Sequence, residues 1–178
     1  MRGAIVLDTH TFAIPVRDLT AEAFAPFGQV IAPRRSLGQF VMPDHNPGTS
    51  PDEAQLSLHE GIPRLWIMHL AGVMTFTEIA RHMRVTQCLG ALGGTQWFIA
   101  VAPPSASADA SGIMSPANLT GFRVPGDRII KLHIGTWHAG PHFPDAEAMF
   151  LNLENMNTRR EDFDAAALPT PCTYSDPG

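Results

Sequence analysis

The chain has 178 residues, 44% apolar and 16% charged, with a formal net charge of −5. That composition is globular and argues against a disordered chain. Without any run of Lys or Arg it also argues against a nucleic-acid partner. No stretch approaches the roughly 18 apolar residues that a membrane-spanning helix needs, and 15 Gly with 16 Pro tilt the expectation toward many short strands joined by turns.

In chain order, Phe12 to Val16 reads as an opening strand. Asp18 to Gly28 reads as a short helix, with Thr20 as its N-cap and Gly28 as its stop. Gln29 to Ala32 is strand-like. Arg34 to Pro63 is rich in Pro and Gly and reads as a long excursion, a candidate flap beside a site. Arg64 to Ala71 is apolar on both parities and predicts a strand buried on both faces. Thr77 to Arg81 predicts a single helical turn.

Val85 to Leu92 and Gln96 to Ala102 flank Gly93-Gly94, a hairpin signal. Pro103 to Pro116 reads as a loop, and Leu119 to Val124, Arg128 to Ile134 and Ala148 to Leu153 as strands. Pro125-Gly126-Asp127 marks a turn between the first two. From Ala165 the tail reads as irregular. These elements predict a single mainly β domain over residues 1–178, a barrel or sandwich. Two distant cysteines, Cys88 and Cys172, do not make a disulfide framework. The first ten residues lack a signal-peptide core, so a reduced, cytoplasmic protein is expected.

Two clusters carry chemistry. The first is Arg81-His82, then Thr86-Gln87 and Gly94. The second is Lys131, His133, Gly135, Thr136-Trp137-His138 and His142. Lys131 and His133 lie two apart on a predicted strand and share a face, opposite Ile130, Leu132 and Ile134. If the aliphatic set packs between sheets, the polar pair lines an interior space. A sharp turn at Gly135 then lets His138 fold back toward it. Such a cluster would need a metal, a ligand or water as partner.

The spacing echoes the two cupin motifs. His82, Gln87 and Gly94 fall at the offsets of the first, with Gln for its Glu. His133, Gly135 and His138 fall at the offsets of the second, with His for its Pro. Together with Arg81-His82-x-x-x-Thr86-Gln87 and the segment Leu19 to Ile31, the chain resembles the ureidoglycolate lyase family over residues 14 to 160. The resemblance implies a cupin-type double-stranded β-helix, a homodimer and a divalent metal, Ni or Zn. It also implies cleavage of (S)-ureidoglycolate to glyoxylate and urea in allantoin (purine) degradation. The chain departs from the family pattern at Lys131, at Ala139-Gly140-Pro141-His142 and at Asn152-Leu153-Glu154-Asn155.

On this reading His138, His133 and Lys131 are the candidate catalytic residues. Arg81, Gln87 and Lys131 are the candidates for binding a small anionic substrate. His82, Gln87, His133 and His138 are the candidate metal ligands. A different metal-dependent cupin enzyme, an isomerase or dioxygenase, and a non-catalytic ligand-binding cupin stay open as alternatives.

Overall fold

A computed structural model of the chain describes residues 10–34, 50–59 and 61–175. Its strands are β1 (Phe12–Asp18), β2 (Gly28–Ile31), β3 (Pro63–Ala71), β4 (Phe76–Arg81), β5 (Gln87–Leu92) and β6 (Gly94–Ala102). After a short 3-10 turn at Pro116–Asn118 come β7 (Thr120–Gly126), β8 (Ile129–Leu132), β9 (Trp137–His142), β10 (Glu147–Asn155) and β11 (Asp164–Ser175). Two one-turn helices, α1 (Ala21–Phe24) and α2 (Thr158–Glu161), complete the described elements.

The strands make a closed six-stranded barrel, β1-β11-β4-β9-β6-β7, and a five-stranded sheet, β2-β8-β5-β10-β3. This is the expected mainly β, cupin-type fold. β6 explains how the two layers join. Its even residues Phe98, Ala100 and Ala102 point into the barrel with Ile14, Ile79 and Trp137. Its odd residues Trp97, Ile99 and Val101 point out against the second sheet, where Phe122, Phe150 and Ile130 meet them. An unbroken apolar run is what a strand between two cores requires. Edge-to-face rings, Trp97 on Phe150 at 5.5 Å and Phe24 on Phe122 at 5.1 Å, fill that second core.

Several expectations hold with small shifts. Thr20 caps α1, its side-chain oxygen accepting from Ala23 N at 3.1 Å. The turn at Pro125 forms, with Arg128 N donating to Pro125 O at 3.1 Å. Others are corrected. The Gly93-Gly94 turn forms with φ of +89° and +84°, but β5 and β6 are not a hairpin. β5 pairs with β8 and β10, and β6 pairs with β7 and β9. The glycines instead carry the chain from one sheet to the other.

Thr77 to Arg81 is not a helical turn but most of β4, held between β11 and β9. Pairing on both edges overrides the local helix preference. The tail is not irregular either: β11 runs along β1 and β4. Its two prolines, Pro169 and Pro171, fall where pairing with β4 is interrupted between Ala167 and Cys172.

β3 is a strand but not one buried on both faces. It is the edge of the second sheet, with Leu65 62% and Ile67 58% exposed. The predicted flap divides. Residues 35–49, including His45, lie outside the described residues. Residues 50–59 pack along the second sheet, with Thr86 N donating to Ser57 O at 2.9 Å. No helix among the described residues is long and apolar enough to cross a membrane. Both cysteines are buried and free.

Candidate active site

A cleft of about 590 Å³ opens between the inner face of the second sheet and the β4–β9 side of the barrel. Five strands, β3, β4, β5, β9 and β10, and one helix build it. β10 contributes Asn152 and Glu154, β3 contributes Arg64 and Trp66, and β9 contributes His138 and His142. Gln87 opens β5 and His82 follows β4. Arg159 and Arg160 of α2 stand at the rim.

The imidazoles of His82 and His138 lie 5.2 Å apart, centroid to centroid. Nδ1 of His82 meets the Asp162 carbonyl at 2.6 Å, and Nδ1 of His138 meets the Thr136 carbonyl at 3.0 Å. A carbonyl only accepts, so each Nδ1 carries a proton, and in the neutral ring the lone pair is on Nε2. Burial pushes the pKa of His138 down to about 4, and the neighbouring His82 pushes it the same way. His138 is thus neutral at pH 7 and able to take a proton. Asp162 locks His82 from both directions. Its carboxylate accepts from Met83 N at 2.6 Å and Arg84 N at 2.9 Å while its carbonyl holds the ring. The turn after β8 closes on the same point: Gly135, at φ +81°, donates its N–H to His82 O at 2.6 Å.

Across the cleft lies a polar chain. Glu154 Oε1 accepts from Arg64 at 2.5 Å and Trp66 Nε1 at 3.3 Å. Glu154 Oε2 accepts from Gln87 Nε2 at 3.1 Å, and Gln87 Nε2 also reaches Asn152 Oδ1 at 3.3 Å. A carboxylate cannot donate, so Gln87 must turn its nitrogen toward Glu154, and its oxygen is fixed by exclusion. That oxygen, Gln87 Oε1, and the Nε of Arg64 are buried without a partner. Buried polar atoms are nearly always paired, and an unpaired one costs about 1–3 kcal/mol.

The predicted residues sort as follows. The structure brings His82, Gln87 and His138 together. It does not bring Lys131 and His133 to them. Ile130 and Leu132 do pack between the sheets, but the cleft lies on that inner side, so Lys131 points to the outer face. There Lys131 Nζ donates to Gln55 O at 3.3 Å. His133 lies under α1, its Nε2 facing Ala25 O at 3.3 Å. Burial lowers the pKa of both; Cys88 opposes that shift in Lys131, and Lys131 adds to it in His133.

Arg81 is not a cleft residue either. It pairs with Asp164 at 3.1 Å and lies over the Trp137 ring at 4.4 Å. The four expected metal ligands are therefore split, with His133 apart. Among the described residues no group of three or more His, Cys, Asp or Glu is placed to hold a metal ion. The donors that stay together in the cleft, two imidazoles and one amide, fall short of the four expected ligands. Sequence reasoning left Arg64 and Trp66 out of the site. Their signal was register: Trp66 stands opposite Asn152, and Arg64 opposite Glu154.

A family model for ureidoglycolate lyase matches residues 11–175. The chain belongs to the ureidoglycolate lyase family. No curated protein matches it significantly. The family is one of lyase enzymes, and its match spans every strand that builds the cleft.

Proposed function

We propose that the cleft binds (S)-ureidoglycolate and splits it into glyoxylate and urea. The observation that carries this reading is the convergence of His82 and His138 with Gln87, Asn152 and Glu154 in one cleft of a chain that the family model covers. A ureido group presents N–H donors and a carbonyl acceptor, which a cleft lined by Glu154, Asn152, Gln87 and Arg64 has the groups to meet. Arg159 and Arg160 at the rim supply positive charge for the substrate carboxylate.

The chemistry is a proton-neutral elimination. The Nε2 of His138 takes the proton from the substrate hydroxyl. The C–O bond becomes a carbonyl as the C–N bond breaks, and the same proton passes to the departing nitrogen to complete urea. The fixed tautomers of His138 and His82 present lone pairs for this transfer without reorganisation. Release of glyoxylate and urea from (S)-ureidoglycolate by the purified protein tests the reading. Turnover is expected, and a chelator arm with added nickel shows whether metal contributes. Absence of turnover in every arm would overturn it.

The reading extends to a homodimer in a reducing cytoplasm, which suits two free buried thiols. The outward face of β3 and β10 supports the dimer. Leu65, Ile67 and Met149 are 62%, 58% and 48% exposed on that one face, an apolar patch of the kind that marks an interface. Ile67→Glu should turn a dimer into a monomer in sedimentation. A wild-type monomer at micromolar concentration would remove the dimer and leave the chemistry standing.

A further inference from the structure

His142 is a third histidine of the same cleft, and its hydrogen bonding is opposite to that of the other two. Its ring is buried and stacked on Phe76, with centroids 4.7 Å apart and planes at 14°. Its Nδ1 contacts not a carbonyl but the hydroxyl of Tyr174, at 2.6 Å. Tyr174 is itself buried, and burial raises its pKa well above 10, so the phenol keeps its proton. His142 Nδ1 is the one hydrogen-bond partner of the phenol group among the described residues. If the phenol accepted from Nδ1 its own proton would be buried without a partner, so the phenol proton is directed at His142 Nδ1. Burial holds His142 neutral down to about pH 4, so its one ring proton must sit on Nε2.

We infer that His142 is a fixed-tautomer N–H donor to the departing ureido nitrogen, and that Tyr174 is the positioning residue that sets its tautomer. This rests on the lyase reading of the cleft and deepens it. The cleft then holds imidazoles of both kinds: His82 and His138 with Nε2 as acceptor, His142 with Nε2–H as donor. Negative charge develops on the ureido nitrogen as the C–N bond breaks. A donor placed there before the reaction stabilises that charge without having to reorient. His142 keeps its proton, and the hydroxyl proton carried by His138 still ends on urea. A neutral imidazole suits the role because burial rules out a charged one at pH 7.

The test is nitrogen-15 NMR of histidine-labelled protein at pH 7, which separates the two tautomers by shift. Wild type should show His82 and His138 protonated on Nδ1 and His142 on Nε2. Tyr174→Phe keeps the ring and removes the hydroxyl. It should let His142 populate both tautomers and lower kcat about 10- to 100-fold, with KM changed less than about threefold. His142→Gln places an amide N–H near the lost Nε2 and should retain more activity than His142→Leu. Nδ1 protonation of His142 in the wild type would overturn the inference, as would unchanged kcat in both Tyr174→Phe and His142→Leu. The tautomer measurement needs no turnover. A correct tautomer in a protein that never cleaves ureidoglycolate would therefore overturn the lyase reading and the His142 role with it. A wrong tautomer in an active enzyme would overturn the His142 role alone.

Discussion

Two regions of this molecule hold buried, partly desolvated basic groups, and only one of them is arranged for chemistry. On the outer face of the second sheet, Lys131 and His133 are both pushed down in pKa by burial, and each turns its side-chain nitrogen to a backbone carbonyl. In the cleft, His82 and His138 spend Nδ1 on carbonyls and leave Nε2 without a hydrogen bond, while Gln87 and Arg64 each hold a buried atom with no partner. Burial and a shifted pKa are common to both regions. Hydrogen-bonding capacity left unspent in residues that line a cavity separates them. The first region ties down the segment over the sheet, and the second is built to receive a ligand.

The sharpest way to break this contrast is to remove the base. His138→Ala should lower kcat on (S)-ureidoglycolate about 10²- to 10⁴-fold while the circular dichroism spectrum stays native. A loss of less than tenfold in a folded variant would take the base role from His138.

Next in size is the pH dependence of stability. His138 and His142 titrate near pH 4 when folded and near the ordinary value of 6.5 when unfolded. Between those values the unfolded chain binds more protons than the folded one, so acid favours unfolding. Above pH 6.5 both states hold these rings neutral and they carry no penalty; the penalty grows as pH falls from 6.5 to about 4. Each costs on the order of 3 kcal/mol. Urea midpoints should therefore drop steeply from pH 7 to pH 4.5, and less in His142→Leu than in the wild type. A flat profile would mean these rings are not held neutral by burial.

The smallest of the three effects sharpens the ureido reading. Gln87→Leu removes the acceptor Oε1 and should cost about tenfold in kcat/KM, the scale of one lost hydrogen bond to substrate. Binding of urea as product inhibitor should weaken alongside it. Unchanged urea inhibition would remove Gln87 from recognition of the leaving group.

Much of the fold was legible in the sequence because turns and apolar runs are local. The Gly93-Gly94 and Pro125-Gly126 turns stand where expected. What was not legible was which sheet each strand joins. β5 and β6 adjoin in sequence yet lie in different layers, and the choice depends on contacts with β8 and β10 that local pattern cannot encode. The same gap misplaced the site. The face shared by Lys131 and His133 was identified, but its direction was set by where Phe122 and Phe150 pack against Ile130 and Leu132. Prolines hid β11, although Ala166, Leu168, Cys172 and Tyr174 alternate as a strand should and all bury into the barrel. His82, Gln87 and His138 were found because motif offsets survive where three-dimensional pairing is unknown. Arg64 and Trp66 were not, because only register with β10 brings them to Glu154.

The central claim is that the cleft, and not the outer face, carries the reaction. The most direct test is steady-state turnover of (S)-ureidoglycolate by the double variant Lys131→Met and His133→Ala, which keeps the lysine stem in place. The account predicts a kcat within about threefold of wild type. A hundredfold loss in a fully folded double variant would contradict it and move the chemistry to Lys131 and His133.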